Sequence, residues 1–298
     1  MTQQPPRKLR DWIPQDKINW VYLSENPNAT HLLEQNPDKI DWYMLSMNPN
    51  AISILEKNID KIDWFELCKN PNANSIIEKN LDKLDRYSWE ELAINPNAIS
   101  IIEKNLDKID WDRLSDNSGA MHLVEQNPDK INWEFLSSNP NAMPLLEKNP
   151  DKIDWYGLSS NPNPKAIQIL EQNQDKINWY WLSRNPSAIP ILEKNIDKIN
   201  WFVLSFNKNP NLIQLIEKNL DRVNWDTLSY NPNAIHLLEQ NQDKINWYAI
   251  FANPAIFVYD YAAMRENYRE LKEELMQKAW HPDRVARWLE AGMDLEDL

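Results

Sequence analysis

The stretch NPNAIHLLEQNQDKINWYAI, residues 231–250, closes a series of near-copies. NPNAISILEKNIDKIDWFEL begins at Asn48 and NPNAMPLLEKNPDKIDWYGL at Asn139. The tryptophans measure the period: Trp20, Trp42, Trp64, Trp89, Trp111, Trp133, Trp155, Trp179, Trp201, Trp225 and Trp247, with gaps of 22 to 25 residues. Three units carry insertions, at Arg86-Tyr87 before Trp89, at Pro164-Lys165, and within NKNPNL around Asn209. A period of this size marks a stack of small supersecondary units, and it governs the reading of the whole chain.

The unit reads N-P-N-A-I-x-L-L-E-K-N-x-D-K-I-D-W-x-x-L-S-x, positions 1 to 22. Asn at position 1 followed by Pro predicts a helix start, because Asn accepts from orphan amides and Pro has no amide to leave unpaired. Apolar positions 4, 5, 7 and 8 lie on one helical face. Asn at position 11 is expected to end this first helix, of about ten residues, in the left-handed conformation. Position 16, before each tryptophan, is always Asp, Asn or Ser, so a second short helix starts at the tryptophan. Helices this short need stacked neighbours to be stable. The expected fold is therefore all-α, an elongated α-solenoid of about eleven 22-residue two-helix repeats with a helical C-terminal cap. Residues 1–15 form an N-terminal cap segment, 16–252 the repeat array and 253–298 the C-terminal cap. The half-unit QDKINW, with Trp12 and Ile13, would cover the first coil. From Ala255 the chain reads as one long amphipathic helix, and His281-Pro282-Asp283 starts a second, closed at Gly292.

Residues repeated in every coil serve needs that every coil has. Glu at position 9, Asn at 11, Asp at 13 and Lys at 14 (Arg222 in one unit) read as stacked polar ladders, with the glutamate pairing to a lysine of the same or next unit. The isoleucines of position 15, the tryptophans of position 17 and the leucines of position 20, such as Ile40, Trp42 and Leu45, read as the core that neighbours share.

The variable positions are left to carry function. Positions 18 and 22 of the second helix share a face. Along the chain this face is acidic or polar in the middle, as at Asp112, Asp116 and Glu134, and aromatic toward the C-terminal end. Aromatics with an arginine are the composition of a protein-binding hot spot. The candidate partner-binding residues are Tyr180, Trp181, Arg184, Phe202, Phe206 and Tyr230.

Composition excludes several other classes. Three glycines in 298 residues leave no phosphate-cradling loop, and one cysteine, Cys68, allows neither a disulfide framework nor a cysteine zinc site. Cys68 stands where other units have Ser, Ala or Phe and reads as a packed side chain in a reducing compartment. His31, His122 and His236 share position 6 in units far apart and cannot converge on one metal. No Ser-His-Asp, HExxH or P-loop pattern occurs, so no catalytic residue, metal or cofactor is expected. Thirty-two basic against 45 acidic residues, interleaved within each unit, disfavour nucleic acid. No apolar run approaches the roughly 18 residues of a membrane span, and MTQQPPRKLRDW lacks the apolar core of a signal peptide.

The repeat NPNAISILEKNIDKIDWFELCKNPNA, with the tail LMQKAWHPDRVARWLEAGMDLEDL, resembles the short-helix tandem-repeat proteins of giant DNA viruses of the mimivirus kind. The resemblance spans nearly the whole chain and implies a viral protein in host cytoplasm or the virion. It implies no activity. Asn117-Ser118-Gly119 departs from the Asn-Pro-Asn pattern, and the insertions would bend the stack locally. The function expected is a non-catalytic protein-interaction scaffold for a viral or host protein. The alternative is a structural or capsid-associated virion protein that self-associates or cements.

Overall fold

The computed structural model describes residues 5–290, which are mostly in short helices packed neighbour to neighbour. The tryptophan helices, such as Trp20–Glu25, Trp42–Met47 and Trp179–Arg184, begin where expected. Asn19, Asp41 and Asn178 each accept a first-turn amide on the side-chain oxygen. Ser88 departs from this rule. There the inserted residues extend the helix to Arg86–Ile94, and Asp85 caps it by accepting from both the Ser88 amide and its hydroxyl.

The first helix of each unit is shorter than the expected ten residues: Thr30–Gln35 and Ile52–Glu56 are typical. The Asn-Pro-Asn segment forms a turn ahead of it, in which Asn26 Oδ1 accepts from the Asn28 amide at 3.0 Å. A third element, unforeseen in sequence, follows: a 3₁₀ turn such as Pro37–Lys39 or Ile59–Lys61. Position 11 is not left-handed. Asn36 has φ −133° and Asn58 φ −137°, so the chain runs on into the 3₁₀ turn. The asparagine ends the helix through its carboxamide instead, Asn36 Nδ2 donating back to Leu32 O at 2.9 Å.

Three rows of polar side chains stitch the units together. In the buried row, Asn48 Nδ2 donates to Ser24 O and Asn26 O at 2.9 and 3.0 Å, and Asn139 Nδ2 does the same to Ser115 O and Asn117 O. A more exposed row runs beside it, in which Asn50 Nδ2 donates to Pro27 O and Asn163 Nδ2 to Pro140 O. In the third, the Ser24 hydroxyl donates to Trp20 O and accepts from the next unit's Asp41 amide. Each insertion is absorbed by a helix end or turn, and the buried row passes all three: Asn95 reaches Cys68 O, Asn185 reaches Ser159 O and Asn231 reaches Ser205 O.

The expected elongated stack is corrected by the ends of that row. Asn26 Nδ2, in the first unit, donates to Phe251 O at 2.8 Å and Asn253 O at 3.0 Å, in the last. Asn28 Nδ2 donates to Pro254 O, and Lys17 lies over the Trp247 ring at 4.6 Å. The eleven asparagines from Asn26 to Asn253 therefore form a closed circuit. A small rotation between successive units, accumulated along the array, accounts for this return. A closed stack has no last edge, so the shielding expected of a terminal cap is supplied by the first unit.

The core runs between the helix layers, with Leu45, Leu55, Leu67, Leu136 and Leu182 at 0 % exposure. The tryptophans pack on this core but only half-buried, except Trp89, which is buried. Their outer faces are covered by the position 14 lysines of the next unit, Lys39 over Trp20 at 4.7 Å and Lys130 over Trp111 at 4.1 Å. Of the expected glutamate pairings, Lys104–Glu78 and Lys194–Glu171 join neighbouring units at 2.7 and 3.3 Å.

The compact unit just described spans Trp12–Ile256; the described residues of Met1–Asp11 and Phe257–Leu298 form a second. In it β1 (Arg7–Leu9) pairs antiparallel with β2 (Phe257–Tyr259), Lys8 opposite Val258. The single long helix expected from Ala255 is thus broken. Phe-Val-Tyr is strand-forming sequence, and Asp260 then caps the helix Tyr261–Ala279 by accepting from the Ala262 and Ala263 amides. A second helix, Pro282–Glu290, starts as expected; its predicted stop at Gly292 lies outside the described residues.

Candidate partner-binding cavity

The Asn-Pro turn and the end of the tryptophan helix leave two side chains per unit unclaimed by the ladders, positions 18 and 22. Around the seam where first and last units meet, they line a cavity of about 1240 Å³. Its wall includes Tyr180, Arg184, Phe202, Phe206, Tyr230 and Ala252 from the last units, and Glu25, Pro27 and Pro49 from the first two. One cavity touched by residues from so many successive units lies on the concave side, so the tryptophan-helix face is the inner one. Five of the six predicted residues are in this wall.

Trp181, the sixth, is half-buried and opens instead on a smaller recess of about 240 Å³ with Ser160, Arg184 and Asn185. Its ring is packed edge-on between Tyr156 and Tyr180, both at 5.3 Å between centroids. Its indole N–H has no hydrogen-bond partner within the described residues. Trp181 thus props up the wall, and Tyr180 is the face it presents.

The aromatic wall is ordered by its own contacts. Phe202 meets Phe206 at 5.9 Å, Phe206 meets Tyr230 at 5.5 Å, and Tyr230 meets Tyr22 at 6.0 Å. This last pair bridges over the intervening unit, where Ala249 and Ala252 are small. Even so, Tyr180, Phe202 and Phe206 remain 44, 51 and 37 % exposed, more than a residue sealed between units would keep.

Charge at the wall is sparse. Burial pushes the Glu25 carboxyl above its ordinary range, and the Lys208 ammonium partly offsets this. Burial and the hydrogen bond with Tyr22 push the Tyr230 phenol upward. Glu25, Lys208 and the prolines are absent from the residues that sequence singles out. For Lys208 a signal existed: the NKNPN insertion adds a lysine beside Asn207, and Lys208 lines the cavity with Pro186 and Pro210. For Glu25 no signal existed, because it reaches the aromatic units only through closure.

In the middle units the inner positions include Glu90, Asp112, Asp116 and Glu134. Asp116 accepts from the Ser138 hydroxyl, and burial raises its carboxyl against the opposing pull of Ser138 and Arg113. Among the described residues no group of His, Cys, Asp and Glu could hold a metal ion. His122 and His236 sit in separate units, each against a glutamate of the preceding unit, Glu103 and Glu217. Cys68 is buried, and its thiol is pushed up to about 12 by burial and by the carboxylates of Glu91, Asp85 and Asp63. No described helix is long and apolar enough to cross a membrane.

No family model, curated protein or solved structure matches the chain.

Proposed function

We propose that Trp12–Ile256 is a closed α-solenoid of eleven units that acts as a non-catalytic protein-interaction scaffold, holding a polypeptide segment against its concave wall. The observation that carries this reading is the aromatic cavity at the seam, with Tyr180, Phe202 and Phe206 exposed although every repeated apolar residue around them is packed. Aromatic anchors on a rigid frame bind at low entropic cost, because few torsions are lost. A fixed frame with a variable inner face also separates stability from recognition, which is how stacked-repeat binders work. The resemblance to giant-virus repeat proteins would place such a scaffold in infected cells.

The test is selection of a displayed random-peptide library on the purified protein and on the double variant Phe202→Ser, Phe206→Ser. Both side chains are exposed, so the variant should keep its fold, checked by circular dichroism. Peptides enriched by the unmodified protein and lost with the variant support the reading. Equal enrichment on both, or none on either, overturns it.

A further inference from the structure

Arg184 and Lys208 are the two cations in a cavity walled by aromatic and proline side chains. Both are exposed. Lys208 faces Glu25, so the two cations share one carboxylate in the wall. No carboxylate pairs with Arg184 among the described residues, in a chain where acids outnumber bases 45 to 32. The other cations of the tryptophan helices are occupied: Lys69 is held by Glu66 at 2.9 Å, Arg86 by Glu90 at 2.9 Å, and Arg113 lies over Phe135. The seam therefore presents positive charge beside apolar surface, while inner positions on other units carry Asp112, Asp116 and Glu134.

We propose that the seam cavity binds an acidic, apolar polypeptide segment, its carboxylates meeting Arg184 and Lys208 and its apolar side chains lying on Phe202, Phe206 and Tyr230. This rests on the scaffold reading and names the partner's chemistry. An arginine offers a planar fork that matches a carboxylate in two parallel hydrogen bonds, and a neighbouring lysine adds a point charge. A basic segment would place like charge against both cations. Asp112, Asp116 and Glu134 work in the same direction, since they repel the segment from the middle units. Single-stranded nucleic acid would find the same aromatic and cationic groups, but its continuous phosphate charge would meet a chain of net charge −13.

The experiment uses fluorescence anisotropy with the full chain and short synthetic peptides having Leu and Phe at alternate positions and Glu, Gln or Lys between them, plus a labelled oligothymidylate. The Glu peptide should bind about tenfold or more tightly than the Gln peptide, with affinity falling as salt rises. Arg184→Glu with Lys208→Glu should reverse the order, so that the Lys peptide becomes the better ligand while the fold, read by circular dichroism, is unchanged. If the Gln or Lys peptide binds the unmodified protein best, and loses binding in the Phe202→Ser, Phe206→Ser variant, the acidic-partner inference falls and the scaffold reading stands. If no peptide binds, both fall. Tighter binding of the oligothymidylate than of any peptide also overturns the inference.

Discussion

Asn26 Nδ2 donates to the carbonyl oxygen of Phe251 at 2.8 Å, across 225 residues of sequence. The same bond joins Asn48 to Ser24 O across 24 residues and Asn139 to Ser115 O across 24. One interaction is thus used identically between sequence neighbours and between the two ends of the array.

This gives a test of closure. Asn139→Ala removes a donor shared by two buried carbonyls and a turn cap, and should cost about 2–4 kcal/mol. Asn26→Ala should cost as much, because its bonds are the same. In an open stack Asn26 would sit at a solvated edge and its loss would be nearly silent. Urea unfolding of the two variants decides between these outcomes.

Gly157 packs against the preceding tryptophan helix, where a Cβ would lie 2.5 Å from Glu134 O and 3.0 Å from Ser137 Cβ. Gly157→Ala should therefore destabilise by about 1–3 kcal/mol, the overpacking cost exceeding the helix propensity gained. A stabilised variant, measured by the urea midpoint, would contradict this spacing between units.

The 22-residue period and the tryptophan-helix starts are readable in sequence because both depend on local chemistry, an Asp or Asn cap ahead of a fixed apolar pattern. The closed circuit is not legible there. Its cause is a small rotation accumulated over every unit, and no single residue encodes it. The array begins at Gln15 with the second half of a unit, QDKINW, and ends after the first letters of another, Asn253-Pro254-Ala255-Ile256. Taken as sequence alone, those halves look like edges needing covers; in the fold they complete each other. The aromatic residues of the site are legible as variable letters on one helix face, whereas Glu25 and Pro49 join them only through closure.

The lysines over the tryptophans should contribute modestly and separately. Changing Lys61, Lys130 and Lys198, which lie over Trp42, Trp111 and Trp179, to Gln should lower stability by about 0.5–1 kcal/mol each. Since the three sites are in units far apart, the triple variant should show close to the sum. A triple variant as stable as the parent in urea would mean that the rings need no cover.

The Cys68 thiol, raised from 9.0 to about 12 in the fold, predicts a pH effect of defined sign. Above pH 9 the unfolded chain releases this proton and the folded chain keeps it, so the folded state loses relative stability as pH rises from 9 toward 12. Well below that range both states hold the proton and the effect vanishes. Cys68→Ser should flatten the difference in urea midpoint between about pH 8 and about pH 10 relative to the parent. The native thiol should also be silent to Ellman's reagent at about pH 8 and react only on unfolding.

Because the asparagine circuit has neither a first nor a last member, no unit of the array is free to fray. Local opening anywhere must pull one unit away from both of its neighbours, so amide hydrogens along the buried row should exchange at similar rates in every unit. An open stack of the same units would instead melt inward from its tips.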